Sequence, residues 1–178
     1  VRSGKPTPTP TPTPSTSNAE RIKGTDRFAT SLEVADALKE ELGVAKFDAV
    51  ILVNGRDFAD ALAGSYLAAE KSAPILMVDN KNASKMSTIK NYIAQNMVPN
   101  GTVYILGGEA AVPEFAAEAL SEYNVKRLKG KNRYGTNLAI LEEVGVNAEE
   151  ILVANAKNFA DSLSASATGK PMLLVGAT

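Results

Sequence analysis

One set of motifs occurs twice along this chain, in the same order. Arg21-Ile22-Lys23-Gly24-Thr25-Asp26-Arg27-Phe28-Ala29-Thr30 returns as Arg127-Leu128-Lys129-Gly130-Lys131-Asn132-Arg133-Tyr134-Gly135-Thr136. Asn54-Gly55-Arg56-Asp57-Phe58-Ala59-Asp60-Ala61-Leu62 returns as Asn155-Ala156-Lys157-Asn158-Phe159-Ala160-Asp161-Ser162-Leu163, and Pro74-Ile75-Leu76-Met77-Val78 returns as Pro171-Met172-Leu173-Leu174-Val175. Conserved order with shortened connections marks duplicated structural units that stack to share a core. The second copy is incomplete, because nothing in it corresponds to residues 81–123. Either the chain was cut, or the half-copy completes the first copy's sheet and leaves fewer bare strand edges. The expected organisation is a linker over 1–19, a first copy over 20–126, and an incomplete second copy over 127–178 packed with the first as one domain.

Within a copy, helical and extended patterns alternate. Phe28, Leu32, Ala35, Leu38 and Leu42 recur at helical spacing, whereas Ala49-Val50-Ile51-Leu52-Val53 is a short apolar run that suits a buried parallel strand. A helix is predicted over 58–70, a strand over 74–78, a helix over about 84–97, a strand over 103–106 and a helix over 113–123, with Pro113 in its first turn. This order predicts an α/β fold: a Rossmann-like parallel sheet with helices on both faces, built from about one and a half internal repeats.

Composition narrows the chemistry. The 178 residues include no Cys and no His, which removes Ser-His-Asp and Cys-His nucleophile arrangements and the usual zinc ligand sets. The net charge of −1 argues against a nucleic-acid partner or an acidic membrane, so anion binding must come from local clusters of Arg and Lys. No apolar run approaches the roughly 18–20 residues needed to span a bilayer, so no membrane insertion is expected. The chain begins at Val1 without a signal sequence, as a processed protein or a fragment would. Residues 5–17 hold five of the nine prolines and favour extended polyproline II, a linker open to O-glycosylation on Thr or Ser.

The repeated polar residues each admit two readings. Asp57 can cap a helix with Asp60 at its third position, and Asn158 with Asp161 can do the same in the second copy; alternatively Asp60 and Asp161 contact a ligand or metal. Asn54 and Asn155 sit where strands end, either holding a turn or facing a ligand crevice. Residues 126–133 carry five cations and no acid, including Arg127, Lys129 and Arg133, and the first copy offers Arg21, Lys23 and Arg27. They form either a solvated turn or a groove for a phosphate- or carboxylate-bearing polymer. Ile105-Leu106-Gly107-Gly108 lacks the spacing of a nucleotide-binding loop and reads as a tight turn. No cofactor or metal is expected.

Together the Arg-x-x-Gly-x-x-Arg-[Phe/Tyr]-x-Thr motif, the Asn-x-x-x-Phe-Ala-Asp segment, the Pro-led aliphatic strand and Ile-Leu-Gly-Gly resemble the cell wall-binding repeat 2 family of Gram-positive surface proteins. The resemblance implies a parallel α/β fold, sometimes compared with Toprim domains, on a secreted protein at the cell wall or cell surface. It implies non-covalent anchoring through an anionic secondary wall polysaccharide or teichoic-acid-like polymer, without catalysis. The family's aliphatic anchoring triplet would fall on Ile75-Leu76-Met77 and Met172-Leu173-Leu174, neither of which is the usual Ile-Leu-Leu. The expected polymer contacts are Arg21, Arg27, Asn54, Asp60, Arg127, Lys129, Arg133, Asn155 and Asp161. Two other readings stay open: a Toprim-like, acid- and metal-dependent phosphoryl-transfer enzyme using Asp60, Asp79, Glu109 and Asp161, and a self-associating structural module that forms a homo-oligomer.

Overall fold

The computed structural model describes residues 20–146 and 149–176; the expected Thr/Pro linker over 1–19 lies outside them. The first helix, α1 (Arg27–Leu42), starts where the Asp26 side chain accepts from the Ala29 amide and stops at Gly43, whose φ of +63° suits glycine. Its stripe turns inward, with Ala35 buried and Leu32 and Leu38 packed beside it. Strands β1 (Phe47–Asn54), β2 (Ile75–Val78), β3 (Met97–Leu106) and β4 (Asn124–Leu128) form one sheet in the order β2-β1-β3-β4, and every pairing is parallel.

The alternation of side chains along β1 divides the core in two. Val50 and Leu52 join Leu76, Val78, Val103 and Ile105 on one face, beneath α1, α4 (Met86–Asn96) and the segment around α5 (Glu114–Glu118). Ile51 and Val53 join Tyr104 and Leu106 on the other. That second face is covered by α2 (Ala59–Ala63) and α3 (Ser65–Lys71), and by the second copy: α6 (Arg133–Val144), β5 (Leu152–Asn155), α7 (Phe159–Ser166) and β6 (Met172–Val175). Ile140, Ala154, Met172 and Leu174 are buried in the same apolar cluster as Ile51 and Leu106.

Several elements depart from the sequence reading. The helix predicted over 58–70 is two helices, with Gly64 between them; a Cβ there would lie 2.4 Å from Leu106 Cδ1, so β3 passes too close for a side chain. The helix predicted over 84–97 opens with a 3-10 turn at Ala83–Lys85 and ends at Asn96, because Met97 already belongs to β3. Pro113 precedes α5 in an extended conformation, and α5 ends at Glu118 rather than at Tyr123. The half-copy does not complete the first sheet beyond β4. Strands β5 and β6 pair with each other as a separate two-stranded parallel sheet.

The physical reason lies at the strand edges. The outer edge of β2 is closed by α1, where Met77 N donates to Ser31 Oγ at 3.1 Å. At the equivalent place in the second copy, Asn137 Oδ1 accepts from Leu174 N at 2.9 Å and Asn137 Nδ2 donates to Met172 O at 2.8 Å. A side chain thus takes the place of a neighbouring strand, and an edge so occupied cannot pair further.

The two copies are not equally covered. Val50, Leu52 and Val78 are at most 1% exposed, whereas their counterparts Ile151, Val153 and Val175 are 48%, 65% and 37% exposed. The second copy has no counterparts of α4 and α5 among the described residues, so that face of its sheet is bare.

Asn137 is fully buried, so Asn137→Ala leaves an amide and a carbonyl of β6 without partners. Each such group costs about 1–3 kcal/mol, so a loss of roughly 2–6 kcal/mol is expected. Urea unfolding followed by circular dichroism measures it, and a loss near zero would show that the edge is not held this way.

Candidate functional site

The repeated motifs build the same hydrogen-bonded corner twice. Gly24 N donates to Thr30 Oγ1 at 3.0 Å and Gly130 N to Thr136 Oγ1 at 3.3 Å, folding the incoming segment onto the helix start. Only glycine fits, since a Cβ on Gly24 would stand 2.5 Å from Ala29 C and one on Gly130 2.2 Å from Gly135 C. Asp26 and Asn132 cap α1 and α6. From the first turn of each helix an arginine reaches the backbone just past a strand: Arg27 Nη1 to Gly55 O at 3.0 Å and Arg133 Nη1 to Ala156 O at 2.7 Å. Asn54 and Asn155 hold those turns, accepting from Arg56 N at 2.9 Å and Lys157 N at 2.8 Å.

In the first copy this corner walls an open crevice of about 490 Å³ at the carboxyl ends of β1 and β2. Its floor is apolar, from Ala61, Leu62, Met77 and Phe58, and Arg27, Asn54, Arg56 and Asp57 stand around it. Arg56 donates through Nε and Nη2 to the two oxygens of the buried Asp79, both at 2.9 Å. That guanidinium holds the Asp79 carboxyl below the usual carboxylate range, the Lys81 amide adding to the effect against partial desolvation. Arg27 is exposed and, among the described residues, spends only Nη1 on protein. Behind Gly55 lies the Phe28 ring, which carries the Lys85 ammonium 4.5 Å from its centroid.

The other crevice expected of such a sheet, between the ends of β1 and β3 where the strand order reverses, is filled. Gly107, at φ +97°, lies so near Asp60 that a Cβ would meet its Oδ2 at 2.5 Å. Burial pushes the Asp60 carboxyl up from its ordinary value; the negative charge of Asp57 adds to this and Arg133 opposes it. Asp60 is the second residue of α2 rather than the third, and Asp57 accepts from Ala59 N at 3.2 Å from one position outside the cap. In the second copy Asn158 is the cap and Asp161 the third residue, as read from the sequence, and Asp161 is exposed.

The cation-rich segment is largely neutralised. Lys126 pairs with Glu143, Lys129 with Glu109 and Arg133 with Asp57. Arg127 donates to Gly107 O and Val112 O and pairs with Glu114 at 3.0 Å. Arg133 also lies 5.8 Å from the Phe58 centroid, and Phe58 meets Phe159 edge-on at 5.8 Å, so this arginine ties the two copies together. Arg21 is exposed. The aliphatic triplets are core strands: Leu76, Met172 and Leu174 are buried, Ile75 and Leu173 partly so, and Met77 reaches the crevice.

Of the acids weighed for catalysis, Asp79 is bound to Arg56 and Glu109 to Lys129. Among the described residues no three acidic side chains converge as a metal site would need. The sequence reading passed over Arg56 and Phe58, although both lie within the repeated segment beside Asn54. Position 56 is cationic in both copies, as Arg56 and Lys157, and position 58 is Phe in both, which is the signal that could have found them.

The raised Asp60 value fixes a sign. The folded protein holds this proton more tightly than the unfolded chain, so the ionised carboxylate costs stability at neutral pH, and that cost is relieved as pH falls through the folded-state value. Asp60→Asn is therefore expected to raise the thermal midpoint at neutral pH, with the gain vanishing in acid. Scanning calorimetry across pH checks it; a variant less stable at neutral pH would reveal a favourable partner for the carboxylate.

Known proteins share this fold. The family model described as cell wall binding domain 2 (CWB2) matches residues 21–117 and 127–178. Cwp8 from Clostridium difficile superposes with a TM-score of 0.77 at 30% identity, over 87% of this chain and 27% of that one. Cwp6 from the same organism superposes with a TM-score of 0.67 at 25% identity, over 86% and 24%. From Bacillus subtilis (strain 168), N-acetylmuramoyl-L-alanine amidase LytC is 27% identical over 91% of this chain, and an amidase enhancer is 32% identical over 87%. The chain spans only 32% and 22% of those two relatives' lengths. The duplicated corner, the parallel α/β layers and the matched family model assign this chain to the cell wall binding domain 2 family, a binding module of the cell wall or cell surface.

Proposed function

We propose that this domain anchors its parent protein non-covalently by binding an anionic secondary wall polymer in the crevice beside β1 and β2, and that it does so without catalysis. The observation that carries this reading is the crevice itself: an apolar floor that includes Phe58 and Met77, edged by the exposed Arg27 and Arg56. Such a surface suits a sugar ring bearing a carboxylate or phosphate, with the ring on the floor and the anion within reach of the guanidinium groups. Arg127 and Arg133, committed to carbonyls and carboxylates, serve in this reading as positioning residues. Arg21, Lys129, Asn155 and Asp161 have secondary parts at most. The two copies, 20–126 and 127–178, act as one binding unit because they share an apolar cluster. Self-association through the bare face of β5 and β6 is favoured by a separate observation, the exposure of Ile151 and Val153.

Sedimentation with purified wall, before and after chemical removal of the secondary polymer, tests the proposal. Binding is expected only to intact wall and should weaken as salt is raised. Phe58→Ala should weaken it by at least about tenfold, about 1.4 kcal/mol, while circular dichroism shows the fold retained; Arg27→Gln should weaken it at least as much, and also lowers the thermal midpoint because it gives up the bond to Gly55 O. Equal binding to stripped wall would overturn the polymer, and unchanged binding by both variants would overturn the crevice.

A further inference from the structure

The dipeptide Asn-Gly occurs twice in this chain, at Asn54-Gly55 and at Asn100-Gly101, and the fold treats the two in opposite ways. Glycine leaves its own amide nitrogen unhindered, because it carries no Cβ, so an Asn that precedes it is open to intramolecular attack. At the first site that attack is blocked. Asn54 is 8% exposed and its Oδ1 is held by Arg56 N at 2.9 Å. The nitrogen that would attack, Gly55 N, is donated to Val78 O at 2.9 Å, and Gly55 O is held by Arg27. Cyclisation there requires both strand-end bonds to break together.

At the second site the asparagine side chain lacks these restraints, while Gly101 itself is buried. The register between β1 and β3 jumps from Phe47↔Met97 to Ala49↔Thr102, so residues 98–101 bulge out with no register partner on β1. Asn100 is exposed at φ +63°, and among the described residues its side chain makes no hydrogen bond. A Cβ at position 101 would lie 2.8 Å from Met97 Cγ and 3.0 Å from Asp48 O, so packing favours glycine there, the residue that makes the pair labile.

We propose that Asn100 is a site of spontaneous deamidation, and that Asn54 is protected by the fold. The Gly101 amide nitrogen gives its proton to base and bonds to Asn100 Cγ. The Cγ–Nδ2 bond breaks, and ammonia leaves with a proton taken from water. The resulting succinimide is opened by a second water. Attack at Cγ yields aspartate; attack at the main-chain carbonyl yields isoaspartate, whose backbone runs through Cβ. The balance is one water consumed and one ammonia released, with one negative charge added to the chain. The modified residue lies in the early part of β3, whereas the crevice lies at the carboxyl ends of the strands, so the chain ages at the end of the sheet away from its proposed binding surface.

The test is incubation of the folded full chain at mildly alkaline pH, followed by proteolytic peptide mapping with mass spectrometry and separation of aspartyl from isoaspartyl forms. The Asn100 peptide is expected to convert several-fold faster than the Asn54 peptide, with the difference lost when the same incubation is run in denaturant. Asn100→Gly, which tolerates the positive φ, should abolish the acidic shift seen on ion exchange. Equal conversion of both peptides in the folded chain would overturn the proposal. So would an Asn100 that stays intact when folded yet reacts when unfolded.

Discussion

A guanidinium in the first turn of a helix donates to a backbone carbonyl one residue beyond a strand, and the molecule makes that bond in both copies. It is a charge-assisted bond, of a kind worth about 1.5–3 kcal/mol, and it fixes something packing alone leaves loose: where the helix start stands relative to the strand ends. The asparagine turn, the glycine contact with the threonine hydroxyl and the capped helix all close around it. In the second copy the same arginine continues to Asp57 and to the face of Phe58, so the element that shapes each corner also joins one copy to the other.

The position of the proposed binding surface follows from that corner. In many parallel sheets the ligand enters where the strand order reverses; here Asp60 fills that place against Gly107 and accepts the cost of a partly buried carboxylate. The open surface shifts to the neighbouring strand ends, where Arg27 has donors to spare and Arg56 is steadied by Asp79. Arginines that look equivalent in the two copies therefore differ in what they can offer. Among the described residues Arg27 donates to one partner and Arg133 to two.

Edge management explains why two sheets form instead of one. Ser31 and Asn137 hold equivalent places on α1 and α6, and each satisfies the outer edge of a Pro-led strand from the side. With β2 closed in this way and β4 taking the far side of β3, β5 and β6 pair together and bury one face against the first copy.

Much of the fold was legible in the sequence, because duplication and apolar periodicity are local patterns. The repeated Arg-Gly-Arg segment, the aliphatic runs and the absence of Cys and His determined a parallel α/β repeat and removed most hydrolytic chemistry. The strand-end turns at Asn54 and Asn155 were legible too, since an Asn side chain needs only the amide two residues on. Which charges stay available was not legible. The cation-rich stretch from Lys126 to Arg133 meets Glu109, Glu114, Glu143 and Asp57 only after distant segments are brought together. Likewise a single helix reading over 58–70 could not foresee Leu106 pressing on Gly64. The sequence by itself determined the elements and their repetition, which depend on neighbours a few residues apart. Only the tertiary structure decided which polar groups were spent on the fold and which remained at the surface, because hydrogen bonding and ion pairing are settled by proximity in space.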